Sequence, residues 1–577
     1  MKTGNKYMRL RVTLVGLGFG LLLAVIVARA VNLQVCRRSR LSELAAGQYE
    51  KSYVYRGKRG SIYDDKFRNL ALTLDVTSIG LHPRRVVHPR TLLRKLSRAL
   101  KIDRRRLQRK FASKRPFVWL KRKASPKEVT SVRALHAKAV AFVTERNRFY
   151  PNRELAAQVL GFTGVDGKGL EGLEFFYEHV LRGSQDRYTV WRDARGRRFE
   201  MNKNWFPGDS GKNLVLTIDA GIQYITEQAL AAAVEKFSAK GGMAVVMAPA
   251  TGAILALANY PGFNPNTYTS FPRSRWRNRA ITDPFEPGST MKIFVAAAAL
   301  ESGKISANSI FFCENGAYRI GRNTIHDTHP HGWLSLQQIV KVSSNIGAAK
   351  VGSMLGARRL YRTLRDFGFS AKTGIDAPGE SSGSLTPYRK WTRIDAGTIT
   401  FGQGIAVTAV QLAAAASAIA NGGMLMRPYL VQAITDHNGR LVRKNGPHPI
   451  RRVISAKTAA TLRRIMQTVT GPGGTGVNAA LADYPVGGKT GTAQKIGPGG
   501  TYAHGRYLAS FIGFVPADQP EACILVVVDE PRKFHYGGTV AAPAFRKIAR
   551  SVMDRLHIPP RRSMGKLNVA WVEREAR

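Results

Sequence analysis

An uncharged stretch near the start of the chain limits where the rest of the protein can fold. Residues 12–28 are 17 consecutive uncharged positions, which span roughly 25 Å as a helix. Arg29 interrupts the run, but a long basic side chain near a helix end can reach the membrane interface. A helix that continues to Val35 is long enough to cross a bilayer with some tilt. Residues 12–35 are therefore predicted to form a single transmembrane anchor.

The charges around this stretch predict its orientation. Residues 1–11 are basic and are expected in the cytoplasm. Basic residues on the far side weaken this argument without reversing it; they are Arg37, Arg38 and Arg40. The alternative is a cleaved signal peptide, because residues 28–30 have the A-x-A form. Both interpretations place the remaining chain outside the cytoplasm.

The composition is strongly basic for a globular chain. Its 577 residues carry 89 Lys and Arg against 38 Asp and Glu, a formal net charge of +51. Such a charge ordinarily suggests nucleic acid. An extracytoplasmic location argues against nucleic acid and favours an anionic polymer or membrane surface. The densest basic segment, residues 104–123, is either a solvated helical face or a contact surface for anionic glycan, lipid headgroups or a partner protein.

The second half of the chain carries a pattern of buried strands and helices. Four apolar runs predict strands, the first two around a Pro-Ala-Thr-Gly turn: 242–247, 253–258, 509–514 and 523–528. Ala-rich runs at 294–300 and 411–420 predict helices. The predicted fold class is α+β, with an antiparallel sheet flanked by helices.

The same changes in composition predict the order of the domains. A cytoplasmic tail (1–11) and the anchor (12–35) come first, and a mixed module rich in basic residues (50–235) follows. The catalytic domain is expected over residues 236–556, and a basic C-terminal tail over residues 557–577. A chain of this length ordinarily holds more than one folded unit.

Ser289 and Lys292 lie three positions apart at the predicted start of a helix. Pro287 and Gly288 precede them, so Ser289 is expected at a helix N-terminus, where free N–H groups favour developing negative charge. Lys292 lies one turn later on the same face. Burial would lower the pKa of Lys292, which predicts Lys292 as general base and Ser289 as nucleophile. A second S-x-x-K at residues 563–566 has no apolar helix behind it and is interpreted as chance.

A second polar pair, Ser343 and Asn345, ends an amphipathic stretch. Ser343 is expected to pass a proton between Lys292 and the leaving amine, and Asn345 to hold a substrate amide and hydrogen-bond Lys292. Residues 306–308 have the same S-x-N form but lie too close to the Ser289 helix to fold back onto it. Ser343 and Asn345 are therefore predicted to complete the catalytic set.

The third element is Lys-Thr-Gly, which occurs twice. The copy at residues 489–492 precedes the terminal strands, where an edge strand can offer backbone groups to an extended peptide. Its predicted substrate-binding residues are Lys489, Thr490, Gly491 and Thr492, with the lysine supplying charge for a carboxylate and the hydroxyls acting as donors. Lys372 heads the other copy, in a turn-rich loop, and is interpreted as structural. All three motifs in this order indicate serine acyl transfer.

A loop before the Ser343 helix gathers possible metal ligands, namely His326, Asp327, His329 and His331. The surrounding Pro and Gly residues favour loop hydrogen bonding or the lining of a substrate cleft. No metal site and no cofactor are predicted. Glu286, near the nucleophile, is interpreted as support for the turn rather than as a base.

With these motifs in place, the chain resembles the class B penicillin-binding proteins, closest to the FtsI type, over nearly its full length. The resemblance implies that residues 50–235 form an elongated, dimerisation-like pedestal module and residues 236–556 a transpeptidase domain. Further segments similar to family motifs are residues 59–64, 148–151, 169–174, 368–380, 401–404, 421–423 and 536–539. The 368–380 loop of the family itself contains Lys-Thr-Gly, which supports the structural interpretation of Lys372. Asp65 and Phe67 depart from the family, which often has Arg and Gly at these positions.

The resemblance implies a serine-type D,D-transpeptidase of peptidoglycan. Ser289 would attack the D-Ala-D-Ala carbonyl of a stem peptide, with an oxyanion hole formed by the N–H groups of Ser289 and Thr492. The acyl group would pass to the amine of a neighbouring stem, and β-lactams would acylate Ser289. The implied partners are a SEDS-type glycosyltransferase (FtsW-like) and other divisome proteins. The implied location is the cell inner membrane, with a single span and the bulk of the chain periplasmic.

Three alternatives remain open. An elongation-type class B enzyme would perform the same chemistry in another complex. A β-lactamase or β-lactam sensor shares the trio but needs no large pedestal. A catalytically silent division scaffold is the non-enzyme alternative, and the presence of Ser289, Lys292 and Lys489 argues against it.

Overall fold

The computed structural model describes residues 4–192, 198–199, 210–497 and 501–560. The chain forms two compact units. One comprises Met1–Lys58 with Gly183–Ser210, and the other comprises Arg59–Arg182 with Gly211–Arg577. The predicted tail after residue 560, with the second S-x-x-K, lies outside the described residues.

The first unit begins with a long apolar helix. Gly4–Val31 is α-helical and continues as a π-helix over Asn32–Cys36, in a segment without proline. The 31 residues of Lys6–Cys36 are long and apolar enough to cross a membrane, because they extend about 46 Å against a hydrocarbon core of about 30 Å. This confirms the apolar span predicted for residues 12–35. In the described residues it is the one helix that meets both criteria, and its orientation stays a prediction.

The rest of the first unit is a helix and a small sheet. Arg38–Tyr49 is helical. The strand Glu50–Arg56 pairs antiparallel with Gln185–Arg192, which in turn pairs with Arg198–Phe199. Two distant parts of the sequence therefore build one sheet in this unit.

A mixed sheet of seven strands belongs to the second unit. Its strands follow the order Leu441–Lys444, Val431–Thr435, Asn213–Leu216, Ile62–Tyr63, Asn69–Leu81 and Val118–Lys121, and Val140–Phe149 also pairs with Asn69–Leu81. Helices Pro89–Leu100, Arg104–Phe111 and Pro126–Arg133 cover part of it around a small apolar core. The basic segment 104–123 is therefore helical only as far as Phe111. The sheet includes strands from both sides of residue 236, and the predicted domain boundaries remain predictions.

The three family motifs of the pedestal meet at one buried carboxylate. Glu174 is fully buried and accepts hydrogen bonds at 2.6 Å from the Nε atoms of both Arg59 and Arg148. The Tyr150 hydroxyl donates to the same carboxylate across 3.2 Å. The two guanidinium groups offset the loss of hydration, so the pKa of Glu174 is lowered although burial alone raises it. The motifs thus tie together three segments of the pedestal.

The centre of the second unit is a five-stranded antiparallel sheet. Its strands follow the order Ile254–Tyr260, Gly241–Met247, Ala522–Asp529, Tyr502–Val515 and Gly487–Ile496. Helices pack on both faces, which explains why four of these strands have long apolar runs. The four predicted strands and the α+β class are confirmed.

The helices around this sheet divide between its two faces. Ala220–Lys236 and Ala542–Arg555 pack on one face. The other face is covered by helices that include both predicted Ala-rich runs, namely Lys292–Glu301, Leu336–Val342, Asn345–Leu355, Ala357–Asp366, Arg393–Thr398, Ala409–Ala420 and Ala456–Thr470. The short helices are Ala157–Leu160, Gly172–Phe176, Glu178–Leu181, Arg279–Thr282 and Gly537–Val540. Small strand pairs join Ile310–Phe312 to Trp333–Ser335, Ala317–Ile320 to Asn323–His326, Ser384–Leu385 to Ile405–Ala406, and Met424–Met426 to Pro449–Arg452.

Candidate active site

Ser289 lies where a tight turn enters a buried helix. The 3-10 turn Gly288–Met291 leads directly into the helix Lys292–Glu301, and the Thr290 hydroxyl stabilises the turn by donating to the Pro287 carbonyl across 2.8 Å. The Ser289 side chain is partly exposed to a cleft. Ser289 therefore lies at the N-terminal end of a continuous helical segment, as predicted.

Lys292 connects Ser289 to the second motif. Its Nζ lies 3.0 Å from the Ser289 Oγ, 3.1 Å from the Ser343 Oγ and 2.7 Å from the Asn345 Oδ1, and it also donates to the Ser343 carbonyl. The side chain is 1% exposed. It makes no ion pair with a carboxylate in the described part of the chain.

The surroundings of Lys292 favour its neutral form. Burial lowers the pKa of the amine to about 7, although the negative charge of Asp327 opposes the shift. A substantial fraction of the amine is therefore unprotonated near neutral pH. A neutral amine 3.0 Å from a serine hydroxyl has the geometry to accept its proton.

Lys489 approaches Ser343 from the side of the sheet. It belongs to the edge strand Gly487–Ile496, and its Nζ donates to the Ser343 Oγ across 2.8 Å. The side chain is fully buried, and burial together with the nearby Lys292 charge lowers its pKa well below the usual value. Ser343, with φ +67° at the end of its helix, therefore contacts both lysines.

A cleft of about 670 Å³ opens above these groups. Five of the predicted residues line it: Ser289, Ser343, Asn345, Thr490 and Thr492. Lys292 and Lys489 lie beneath its floor. Gln403, from the 401–404 segment, lines the cleft as well, and other lining residues lacked a clear signal in the sequence, namely Thr475, Asn478, Tyr507 and His535. The Thr490 hydroxyl shares a 2.9 Å hydrogen bond with that of Thr475, and the Thr492 hydroxyl accepts from the Gly537 N–H.

Asp327 organises the second motif, whereas the sequence indicated only loop hydrogen bonding or cleft lining for its segment. Its carboxylate accepts from the Ser344 hydroxyl at 2.6 Å and from the backbone N–H groups of Asn345 and Ile346, which begin the helix Asn345–Leu355. The Asn345 amide also donates to the His326 carbonyl across 2.9 Å, which leaves its Oδ1 directed at Lys292. His329 and His331 line the cleft. The described residues contain no group of side chains arranged to hold a metal ion.

The turn at Ser289 rests on a second glycine-rich loop. A Cβ atom on Gly402 would lie 2.2 Å from the Gly288 carbonyl oxygen, so the two backbones are in direct contact. Glu286 accepts from the Gly404 N–H at 2.8 Å and from the Tyr502 hydroxyl at 3.2 Å. These contacts agree with the interpretation of Glu286 as support for the turn.

The duplicate motifs lie elsewhere. Lys372 lines a separate cavity of about 180 Å³, where the neighbouring Thr373 bonds to the Glu380 carboxylate. Ser306 bonds to Ser309 at the surface and does not line the cleft. Of the competing copies within the described residues, the structure therefore brings only the predicted ones together.

Comparison with known proteins agrees with this arrangement. Residues 242–550 match the penicillin-binding protein transpeptidase domain, and residues 55–216 match the penicillin-binding protein dimerisation domain. The chain is 34% identical over 557 residues to the probable peptidoglycan D,D-transpeptidase PenA of Neisseria meningitidis, covering 95% of this chain and 93% of that protein. It is 32% identical over 548 residues to the peptidoglycan D,D-transpeptidase FtsI of Escherichia coli K12, covering 94% and 91%.

Solved structures show the same likeness. The fold is similar to that of penicillin-binding protein 3 of Mycobacterium tuberculosis in complex with aztreonam, with a TM-score of 0.70 and 29% identity, covering 88% of this chain and 98% of that one. The transpeptidase match alone spans more than half of the chain. The chain therefore belongs to the penicillin-binding protein transpeptidases, in their class B branch of the FtsI type.

Proposed function

We propose that this protein is a peptidoglycan D,D-transpeptidase that cross-links stem peptides through a Ser289 acyl-enzyme during septum formation. One observation carries the proposal. An unbroken series of hydrogen bonds connects Ser289, Lys292, Ser343 and Lys489 at distances of 2.8–3.1 Å. The series begins at a partly exposed serine and ends at a fully buried lysine. Such a set can move a proton from a nucleophile to a leaving group without exposing it to bulk water.

Acylation uses the neutral form of Lys292. The amine takes the Ser289 proton as the Oγ attacks the carbonyl between the two D-alanines, and the N–H groups of Ser289 and Thr492 receive the charge that develops on oxygen. Ser343 then delivers a proton to the departing D-alanine amine, because its hydroxyl lies within hydrogen-bond distance of Lys292. The peptide C–N bond breaks and a serine ester forms.

Deacylation reverses the direction of the proton. The side-chain amine of a second stem peptide attacks the ester and loses a proton to Lys292, and Ser289 leaves with a proton from the same group. The product is a new amide cross-link. A β-lactam would undergo only the acylation step. Its ring would open where the substrate releases D-alanine.

Substrate orientation is assigned to the edge strand and its hydroxyls. Thr490 and Thr492 line the cleft, and the strand Gly487–Ile496 pairs on one side with Tyr502–Val515. Strand addition to its other side would hold the stem peptide extended. A terminal carboxylate bound at these hydroxyls would favour the protonated form of the buried Lys489 amine, which then supplies the opposite charge.

The proposed setting is the outer face of the inner membrane, with residues 1–11 in the cytoplasm. The Escherichia coli relative carries the name FtsI, which supports a role in division. An FtsW-like glycosyltransferase is the proposed partner. Depletion in cells tests this setting: filaments support septation, and round cells would contradict it.

Labelling with a fluorescent penicillin tests the chemistry. The purified chain is expected to form a stable covalent adduct, and Ser289→Ala is expected to form none. Ser306→Ala is the control, because Ser306 repeats the S-x-N form of the Ser343 motif but lies at the surface, outside the cleft. An adduct on Ser289→Ala, or none on the wild type, would show that the assigned nucleophile is wrong.

A further inference from the structure

The positive charge of this protein is concentrated on a small part of the pedestal. Residues 83–123 contain 17 Lys and Arg and a single acidic residue, Asp103. The helices of this segment bury Leu96, Leu100 and Leu107 against the sheet. Their arginines therefore point away from the apolar core, into solvent.

The basic residues of the strand and the arginines of the helices differ in whether they have acidic partners. On the strand side, Lys121 and Arg122 pair with Glu128 and Glu145 at distances of 2.5–2.6 Å. The arginines of the two helices make no ion pair with any carboxylate in the described part of the chain. Asp103 serves as the cap of the second helix and accepts from the Arg106 N–H. The helical arginines are thus left uncompensated.

Three of these arginines face a groove between the two helices. The groove has a volume of about 610 Å³, and Arg90, Arg94 and Arg104 line it. Arg90 and Arg94 lie one helical turn apart, a rise of about 6 Å. The apolar side chains of Leu93 and Phe111 line the same groove. We call this site the arginine groove.

The side chains of the arginine groove favour a ligand that carries several anionic groups in a row. Guanidinium groups bind phosphate in a bidentate manner and stay charged at every physiological pH. Cations held close together without counter-charges repel one another, and an anionic ligand relieves that repulsion. A concave groove with apolar patches between its charges fits a chain better than it fits the flat face of a bilayer.

We propose that the arginine groove binds a linear polyanion of the cell envelope, with successive phosphate groups on Arg90, Arg94 and Arg104 and its uncharged spacers on Leu93 and Phe111. The groove shares no lining residue with the catalytic cleft. Binding there would hold the enzyme at an anionic polymer while leaving Ser289 accessible. The inference does not depend on the reaction proposed for the cleft.

Binding of labelled long-chain inorganic polyphosphate to the full-length protein in detergent tests the proposal. The triple variant R90Q/R94Q/R104Q is expected to bind about tenfold or more weakly, and the slope of log affinity against log salt is expected to fall by about three. The matched control is R358Q/R362Q/R389Q, which removes the same charge from exposed arginines that have no ion pair in the described residues. It is expected to bind within about twofold of the wild type.

Three results would overturn the proposal. If the two triple variants weaken polyphosphate binding equally, only the overall charge of the protein matters. Stronger binding to phosphatidylglycerol vesicles than to polyphosphate, lost in the same variant, would identify a membrane contact instead. Polyphosphate failing to bind the wild type would exclude the site. Penicillin labelling and the melting temperature of each variant show that the fold is intact.

Discussion

The Nζ of Lys489 lies 2.8 Å from the Oγ of Ser343, although 146 positions separate the two residues in sequence. Lys489 comes from the edge strand of the central sheet, and Ser343 ends a helix of the other layer. The same hydroxyl lies 3.1 Å from Lys292. Ser343 is therefore the point at which the strand side and the helix side of the active site are joined.

Replacement of Ser343 should separate activity from stability. Ser343 adopts φ +67°, a conformation that glycine adopts without strain. Ser343→Gly is therefore expected to change the melting temperature little, because relief of the backbone strain offsets the lost hydrogen bonds to the two buried lysines, while the rate of penicillin acylation falls about a hundredfold or more. Ser370→Gly is the matched control, because Ser370 has φ +59° outside the cleft. Acylation at the wild-type rate in Ser343→Gly would contradict the proton-transfer role.

The pH dependence of acylation should follow Lys292. Only the neutral amine accepts the Ser289 proton, and the pKa of Lys292 is about 7. The acylation rate is expected to rise about tenfold per pH unit below this pKa and to level off above it. Stopped-flow measurement of penicillin acylation across neutral pH checks this. A flat profile, or a rate that falls as the pH rises through 7, would exclude Lys292 as the base.

Asp327→Asn should move that profile in a defined direction. The negative charge of Asp327 raises the pKa of Lys292, so its removal is expected to shift the midpoint of acylation to lower pH. The substitution also replaces one carboxylate oxygen with an NH2 group, so either the Ser344 hydroxyl or the Asn345 N–H loses its acceptor. This loss is expected to cost about 1–3 kcal/mol in stability. A reduced rate with an unchanged midpoint would mean that Asp327 acts through structure alone.

Two neighbouring glycines should respond differently to alanine. A Cβ on Gly402 would lie 2.2 Å from the Gly288 carbonyl, whereas the nearest atom to a Cβ on Gly404 is 3.7 Å away. Both have positive φ, so each substitution carries the backbone cost of about 1–2 kcal/mol. Gly402→Ala is also expected to displace the Ser289 turn and abolish penicillin labelling. Gly404→Ala should still label, and equal loss in both variants would argue against the packing explanation.

The buried carboxylate of the pedestal should be costly to neutralise. Glu174→Gln leaves Arg148 buried without its carboxylate partner, which is expected to destabilise the fold by about 3–5 kcal/mol. Glu178→Gln, at a half-buried partner of Arg59, is expected to cost clearly less. Because the pKa of Glu174 is lowered in the fold, its contribution is present at neutral pH and is lost as the pH falls. Thermal unfolding of the two variants at neutral pH checks the difference.

Much of the catalytic half could be predicted because its signals are local. Strands buried on both faces leave continuous apolar runs, so 242–247 and 523–528 were recognisable without any partner strand. Ser289 and Lys292 lie one turn apart on the same helical segment, and that spacing is visible in the sequence. The choice of Lys489 over Lys372 was possible because of the strands that follow it.

Contacts between distant segments were harder to predict. Val431–Thr435 pairs with Asn213–Leu216, and nothing near either strand indicates the other. The sequence indicated loop hydrogen bonding or cleft lining for Asp327 but not its partners, because they lie at the start of a helix that begins at Asn345. The complete burial of Lys489 also depends on the assembled layers, so its approach to Ser343 could not be inferred from its motif.

The order of the central sheet has a consequence for how the enzyme is made. Ala522–Asp529 lies between Gly241–Met247 and Tyr502–Val515 in the sheet. The hairpin that Gly241–Met247 forms with Ile254–Tyr260 therefore gains its second neighbour only from one of the last strands of the chain. A chain synthesised from its N-terminus therefore exposes an apolar strand edge until Ala522–Asp529 has been made, and aggregation competes with folding over that interval. Truncation before residue 522 would leave the edge open, so penicillin binding would arise only once the chain is nearly complete.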